Sequence, residues 1–184
     1  MLLDRNHSAL VLVDYQKRLM PVIDDAQTVV AEALFLAQVA NLLQVPVIGT
    51  EQNPERLGLN DERVRALCDE TVTKHHFNAA ADGLIDSLDA LPNKIKQVVL
   101  AGCETHVCLL QTVLGLQRAG FHVAVVPQAS GSRRQADKAL GLKRMVQQGV
   151  VPVNPEMVAF EWVQSCQDPQ FRAVLDLIKQ RPVQ

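Results

Sequence analysis

Three side chains that could act together in catalysis each follow an apolar, strand-like run of this sequence. Asp14 follows SALVLV, Lys74 ends TVTK, and Cys108 ends VVLAGCETHVC. The thiolate of a cysteine is the useful nucleophile, and both a helix N-terminus and a nearby lysine ammonium would lower the pKa of the thiol. An aspartate within hydrogen-bond reach could accept the thiol proton and later deliver it to a leaving amine. The three residue types therefore favour nucleophilic attack by Cys108 on a carbonyl group.

Each of these residues alone also has an ordinary structural interpretation. An aspartate after a strand commonly caps a turn or a helix, a lysine is usually solvated, and cysteine is among the residues most often buried without a function. Cys103, at the end of its apolar run, is interpreted as a packing residue, and Cys68 and Cys166 as structural or merely exposed. Catalysis is favoured by the combination, because the chemistry needs a nucleophile, a proton acceptor and a cation together.

Strand-like and helix-like segments alternate along the chain, which predicts a parallel sheet with helices on both faces and right-handed crossovers. In such folds ligands bind beyond the carboxyl ends of the strands, where all three candidate residues fall. In a sheet of order 3-2-1-4-5-6, Asp14 and the Cys108 turn are neighbours, whereas Lys74 starts two strands away and must reach inward. The predicted strands are 8–13, 45–49, 71–74, 97–101, 122–126 and 150–153; the predicted helices are 25–43, 62–68, 83–91, 106–119, 134–148 and a terminal region from 154 or 155, interrupted around 168–169.

Composition limits the classes of function. A chain of 184 residues is most economically one domain, 1–184. With 18 Lys and Arg against 20 Asp and Glu, and no basic run, we expect no nucleic-acid partner. The apolar runs are too short to cross a membrane, and the N-terminal residues lack the order typical of a signal peptide. Four cysteines without paired spacing indicate reduced thiols in the cytoplasm.

Four motifs, LVLVDYQ, TEQNPERLG, TVTKHHFNA and VVLAGCETHVCLLQTV, resemble in order and spacing the isochorismatase-like cysteine hydrolases, a superfamily that includes nicotinamidases and N-carbamoylsarcosine amidohydrolases. The similarity runs through roughly 8–171 and is closest to the compact subgroup of isochorismatase domain-containing proteins. Gly102, Thr105, Cys108 and Thr112 form the G-x-x-T-x-x-C-x-x-x-T pattern of that family. The resemblance implies a three-layer α/β/α sandwich, Rossmann-like, with a six-stranded parallel sheet. It also implies a catalytic triad of Asp14, Lys74 and Cys108.

The resemblance further implies a mechanism and a pocket. In family members that act on amides, the cysteine forms a thioester, the aspartate carries the proton, and water releases the acid. A cis peptide bond is implied between Cys103 and Glu104, so that the backbone N–H groups of Glu104 and Cys108 would form the oxyanion hole. No cofactor is implied, and a homo-oligomer, a dimer or larger, is expected. The small-molecule pocket would be lined by Tyr15, Gln16, Leu19, Gln52, Phe77, His106 and Val107, with Gln16 and Gln52 placed to hold an amide or to cap a loop.

The sequence departs from the family pattern at several positions. Nicotinamidases carry an Asp-x-His pair after the second strand to bind a divalent metal, whereas this chain has Glu51, Gln52 and Asn53 there. We therefore predict no metal site of that kind. His75 and His76 are adjacent, and adjacent residues of a strand point in opposite directions, so a metal pair is not expected there. Gln128 stands where family members often have an aspartate.

The leading hypothesis is a cytoplasmic hydrolase that cleaves a small amide or a related C–N bond. One alternative is hydrolysis of a vinyl ether, the reaction of the family's namesake enzymes, which can work without the cysteine; the retained thiol favours acyl chemistry. A second alternative is a non-catalytic binding or scaffold protein on the same fold. A third is a redox role for Cys108 or Cys103.

Overall fold

The computed structural model describes residues 2–181 and contains one six-stranded, all-parallel sheet. The strand order is β3-β2-β1-β4-β5-β6, which confirms the predicted sheet and its order. Buried parallel strands of this kind read as continuous apolar runs, as SALVLV does. The strands are β1 (Ser8–Val13), β2 (Val47–Gln52), β3 (Glu70–Lys74), β4 (Gln97–Gly102), β5 (His122–Val125) and β6 (Val151–Pro152).

The two faces of the sheet build two separate cores. The helices that cover them are α1 (Ala26–Leu42), α2 (Pro54–Leu57), α3 (Glu62–Arg65), α4 (Leu84–Asp89), α5 (Leu110–Arg118), α6 (Gln135–Gln147), α7 (Pro155–Val163) and α8 (Phe171–Lys179). Leu10 and Leu12 of β1 pack with α1, α3, α7 and α8 on one face, and Val11 and Val13 pack with α4, α5 and α6 on the other. This division follows from the alternation of side chains along a strand. None of the helices within residues 2–181 is long and apolar enough to cross a membrane.

Several observed elements differ from their predicted bounds. The second strand continues past residue 49 to Gln52, because it pairs with β3 as far as the partners Gln52 and Lys74. The helix predicted to begin at 106 starts with a π-helical turn, Thr105–Leu109, before α5. The last strand keeps only Val151–Pro152, the two residues that pair with β5.

The register of the sheet explains how Lys74 can reach the first strand. Thr50 of β2 pairs with Val13, the last residue of β1, and β2 runs two residues further to Gln52. Lys74 pairs with Gln52 and therefore lies beyond the end of β1. From that position its long side chain crosses the end of β2 toward Asp14, the residue that follows β1.

Gly102 allows β1 and the turn after β4 to approach closely. Its φ is +147°, and a Cβ atom at this position would lie 2.1 Å from the carbonyl oxygen of Val13. That same oxygen accepts a hydrogen bond of 2.9 Å from the Cys103 N–H. Only a residue without a side chain permits this contact, which sets the distance between the Asp14 and Cys108 turns.

We expect Gly102→Ala to destabilise the fold by about 3 kcal/mol, because it adds a backbone clash to a positive φ. Gly120 is the matched control, since it has a φ of +95° and no atom lies within 4 Å of the point that a Cβ would occupy. Gly120→Ala should therefore cost only about 1 kcal/mol. Urea unfolding of the two variants measures both values, and equal losses would contradict the assigned clash.

Candidate active site

A fully buried ion pair lies at the carboxyl edge of the sheet. Lys74 Nζ is 2.7 Å from Asp14 Oδ2, and neither side chain is exposed to solvent. Asp14 has a φ of +55°, in the left-handed region that aspartate tolerates better than most residues. Thr50 Oγ1 donates a 2.7 Å hydrogen bond to Asp14 Oδ1, and Lys74 Nζ donates one of 2.7 Å to Gln52 Oε1. Each charge is thus held by its counter-ion and by one neutral polar group.

The second carboxylate oxygen of Asp14 retains hydrogen-bonding capacity. Oδ2 contacts the Lys74 ammonium at 2.7 Å, and because a carboxylate oxygen has two lone pairs this contact does not use all of its accepting capacity. The nearby Cys108 thiol, whose pKa Asp14 raises, can donate to the same carboxylate.

Cys108 lies on the π-helical turn between β4 and α5 and is 7% exposed. Burial raises the pKa of its thiol to about 12; the charge of Asp14 acts in the same direction, and the Lys74 ammonium opposes both. Lys74 lowers this pKa as predicted, but desolvation and the carboxylate outweigh the cation, so the net shift is upward and the expected depressed pKa is wrong. The resting thiol is therefore protonated and needs a proton acceptor to become a nucleophile.

Two threonines fix the segment that carries Cys108. The N–H and Oγ1 of Thr105 both donate to the carbonyl oxygen of Gly131, at 2.8 and 3.0 Å. Thr112 Oγ1 accepts a 3.0 Å hydrogen bond from the Ala79 N–H, in the loop after β3. Together with the close approach at Gly102, these contacts give each residue of the G-x-x-T-x-x-C-x-x-x-T pattern a place in the geometry.

The turn before Cys108 presents backbone donors. The Cys103–Glu104 peptide bond is cis. Within residues 2–181 the Glu104 N–H has no acceptor, and the Cys108 N–H has none outside its own helical turn. The Glu104 carbonyl accepts from two later residues of the turn, and the Glu104 carboxylate accepts from the N–H and Nε of Arg133 at 3.0 and 3.1 Å. Arg133, which sequence reasoning missed, gives no local signal because it lies far along the chain.

Three of the predicted pocket residues make hydrogen bonds within the protein. Tyr15 is fully buried and donates from its hydroxyl to the Ala129 carbonyl. Gln16 is also fully buried; its Oε1 accepts from the Gln52 N–H, and its Nε2 donates to the carbonyls of Gln52 and Gly58. Gln52 itself binds Lys74 through Oε1. The carboxamides of Gln16 and Gln52 thus make hydrogen bonds within the protein that support the ion pair.

The other predicted pocket residues remain accessible. Leu19, His106 and Val107 are half-buried, and Phe77 is 51% exposed. His106 Nδ1 lies 3.0 Å from the hydroxyl oxygen of Ser132, in the loop after β5. These four residues stay candidates for substrate contact.

The residues at the end of β2, where nicotinamidases bind their metal, contact other groups of the protein. Glu51 Oε1 accepts from the Asn60 N–H at 2.8 Å and lies 3.6 Å from Arg65 Nε. Asn53 has a φ of +39° and immediately precedes α2. In the part of the chain that the structure describes, no group of three His, Cys, Asp or Glu residues could hold a metal ion.

The fold places the chain in one class of protein, the three-layer α/β proteins whose parallel sheet has the order 3-2-1-4-5-6. Comparison with known proteins narrows this class, since the family model described as the isochorismatase domain matches residues 8–156. The chain belongs to the isochorismatase family and has the hydrolase fold of that family. Isochorismatase domain-containing protein 2A of Mus musculus is 35% identical over 94% of this chain and 83% of its own length.

Solved structures agree with this assignment. The MAR1 ribonuclease of Caenorhabditis elegans has a TM-score of 0.91 at 27% identity, covering 100% of this chain and 99% of its own. YcaC of Escherichia coli, described as an octameric hydrolase of unknown specificity, has a TM-score of 0.89 at 25% identity, covering 97% and 89%. YcaC of Pseudomonas aeruginosa, solved with hexane-2,5-diol and covalent acrylamide, has a TM-score of 0.86 at 25% identity, covering 96% and 91%.

We expect Asp14→Asn to accelerate alkylation of Cys108 by iodoacetamide. The substitution removes the negative charge that raises the pKa of the thiol and leaves the Lys74 ammonium that lowers it, so the thiolate fraction rises. The rate at pH ~7.5 should increase about tenfold, which corresponds to about one pKa unit. Mass spectrometry of the labelled protein gives the rate, and an unchanged or slower rate would show that Asp14 does not act on this thiol.

Proposed function

We propose that the protein hydrolyses a small, uncharged amide or a related C–N bond, with Cys108 as nucleophile, Asp14 as proton carrier and Lys74 as electrostatic support. The observation that carries this proposal is the buried Asp14–Lys74 ion pair beside a protonated thiol on which both charges act. A thiol and a general base within reach of each other form the basic unit of nucleophilic catalysis.

In the first half-reaction the thiol proton passes to Asp14 as the sulfur attacks the carbonyl carbon. The S–C bond forms, and the carbonyl electron pair moves onto oxygen, where the N–H groups of Glu104 and Cys108 would hold the oxyanion. The C–N bond then breaks, and the protonated Asp14 gives its proton to the leaving amine. The products are an acyl thioester on Cys108 and a free amine.

In the second half-reaction Asp14 accepts a proton from a water molecule that attacks the thioester. The S–C bond breaks, the acid leaves, and the proton on Asp14 returns to the sulfur. Lys74 takes no part in proton transfer; its charge fixes the orientation of the carboxylate and stabilises the negative charge as it moves from Asp14 to the oxyanion and back.

Charge pairing in the site supports an uncharged substrate. Lys74 is paired with Asp14, and Arg133 is paired with Glu104. Neither cation is therefore available to neutralise a carboxylate of the substrate. A vinyl ether that carries carboxylates, as isochorismate does, would need such a cation, so this alternative has less support.

Charge and burial give less support to a nucleic-acid substrate and to a redox role. Nucleophiles such as thiols add to the alkene carbon of acrylamide, so the covalent acrylamide in YcaC of Pseudomonas aeruginosa supports a reactive nucleophile in that relative, without bearing on amide cleavage. A nucleic-acid substrate, which the name of the Caenorhabditis elegans ribonuclease raises, has less support because the chain has a net charge of −2. A redox role has less support at Cys103, because the side chain is fully buried and burial raises the pKa of its thiol well above the ordinary value.

Hydrolysis is tested with a panel of small aliphatic and aromatic amides, with release of the amine as the readout. Cys108→Ala should reduce kcat by about 10³-fold or more, because the nucleophile is lost. Cys166→Ala is the matched control, since Cys166 is exposed, and it should retain wild-type turnover. An equally active Cys108→Ala variant would exclude the thioester route, and an inactive wild-type protein across the panel would favour the binding-protein alternative.

We also propose that the protein is a single-domain cytoplasmic homo-oligomer. The octameric state of YcaC from Escherichia coli supports the assembly. Exposed apolar side chains on α6, Leu140 and Val146, provide surface that a second copy could cover. Sedimentation equilibrium at micromolar concentration should give a mass that is an integral multiple, two or more, of one chain. A monomer mass under these conditions would contradict the proposed assembly.

A further inference from the structure

One carboxylate, that of Asp82, holds the chain segment that follows Lys74. Asp82 Oδ2 accepts hydrogen bonds from the N–H groups of His75 at 2.7 Å and His76 at 2.6 Å, and Oδ1 lies 2.6 Å from His76 Nδ1. These bonds, led by the one from the His76 N–H, lower the pKa of Asp82 to about 2. Asp82 is therefore ionised at neutral pH and can only accept, so Nδ1 is the protonated ring nitrogen of His76.

The two peptide units after Lys74 have all their polar groups bonded. The Lys74 carbonyl accepts from the Asn53 N–H at 2.9 Å, and the His75 carbonyl accepts from Gln52 Nε2 at 2.8 Å. The N–H groups of the same two units are the ones held by Asp82. Gln52 links these peptide units to the Lys74 side chain, because its Oε1 accepts a hydrogen bond from Lys74 Nζ. The backbone that sets the direction of the Lys74 side chain is thus fixed on both sides.

The same loop is attached to the helix that follows the catalytic turn. The Ala79 N–H donates to Thr112 Oγ1 on α5. Asn78 packs directly on Gly115 of α5, where a Cβ atom would lie 2.4 Å from the Asn78 side-chain oxygen. Because α5 continues from the turn that carries Cys108, these contacts link the loop to the element that positions the thiol.

We propose that Asp82 is a positioning residue that fixes the Lys74 ammonium between Asp14 and the Cys108 thiol. The role rests on the proposed function of these three residues. Asp82 is 19% exposed and touches none of them; it acts through the peptide units on which Lys74 depends. In Asp82→Asn the amide oxygen can hold the His75 and His76 N–H groups only through uncharged hydrogen bonds, and its NH2 group then faces His76 Nδ1. Because hydrogen bonds to a charged acceptor are roughly twice as strong as neutral ones, the segment is held less firmly.

Alkylation of Cys108 by iodoacetamide between about pH 7 and about pH 10 tests this proposal without any substrate. Since Lys74 lowers the pKa of the thiol, a displaced ammonium leaves less thiolate at a given pH. Asp82→Asn should slow alkylation of Cys108 about three- to tenfold at each pH. Asp82→Glu, which keeps two charged acceptor atoms, should recover at least half of the lost rate. Asp86→Asn, at an exposed position on α4, should match the wild type.

Two further measurements separate positioning from a general loss of structure. In Asp82→Asn, Cys103 should stay unlabelled, because it is buried in the core away from the loop. Lys74→Met should slow alkylation by itself, and adding Asp82→Asn to it should cause no further loss, because the two residues would act through one ammonium. An unchanged rate in Asp82→Asn, additive effects in the double variant, or labelling of Cys103 would each overturn the role of Asp82. Absence of amide turnover in the wild type would instead count against the proposed function alone.

Discussion

A carboxylate and an ammonium that are both removed from water must remain paired, and this constraint organises the carboxyl edge of the sheet. Deleting one partner of such a pair costs about 3–5 kcal/mol, because the remaining charge is left buried without compensation. Asp14 and Lys74 meet this condition at 2.7 Å, with Thr50 and Gln52 as their neutral partners. The two residues come from strands that are not neighbours, so β2 must extend beyond β1 for the ammonium to arrive. The ion pair therefore requires that β2 extends past the end of β1.

The close approach at Gly102 is the second constraint, and it acts on the turn that carries Cys108, the proposed nucleophile. Cys108 can share an environment with Asp14 only if the turn after β4 comes close to the end of β1. The contact between the Cys103 N–H and the Val13 carbonyl achieves this, and no side chain fits between them. Thr105 then holds the turn to the loop after β5. The strand order brings the ends of β1 and β4 close together. The missing side chain at Gly102 and a few backbone hydrogen bonds then set the distance between the turns that follow these two strands.

The sequence was sufficient to predict the parallel sheet, because apolar runs and the polar residues that end them are local patterns, and the family resemblance supplied the number of strands. The same patterns placed Asp14, Lys74 and Cys108 at one edge of the sheet, and their catalytic roles stay predictions. The sequence was insufficient for the roles of Gln16 and Gln52, since a carboxamide binds substrate or backbone according to contacts made by distant segments. The pairing of Glu104 with Arg133 was missed for the same reason, being 29 residues apart in the chain. The pKa of Cys108 was predicted in the wrong direction because sequence shows nearby charges but not burial, and burial dominates here.

A raised thiol pKa agrees with the proposed chemistry when charge is followed through the reaction. At rest the buried site holds Asp14 as an anion, Lys74 as a cation and a neutral thiol, so its net charge is zero. When the thiol proton moves to Asp14, the negative charge moves to the oxyanion, and the total stays zero. A resting thiolate would instead place a second anion beside Asp14 in a medium where unpaired charge is costly. Neutral nucleophile and uncharged substrate are thus two consequences of one requirement, that the buried ion pair is never left with an excess charge.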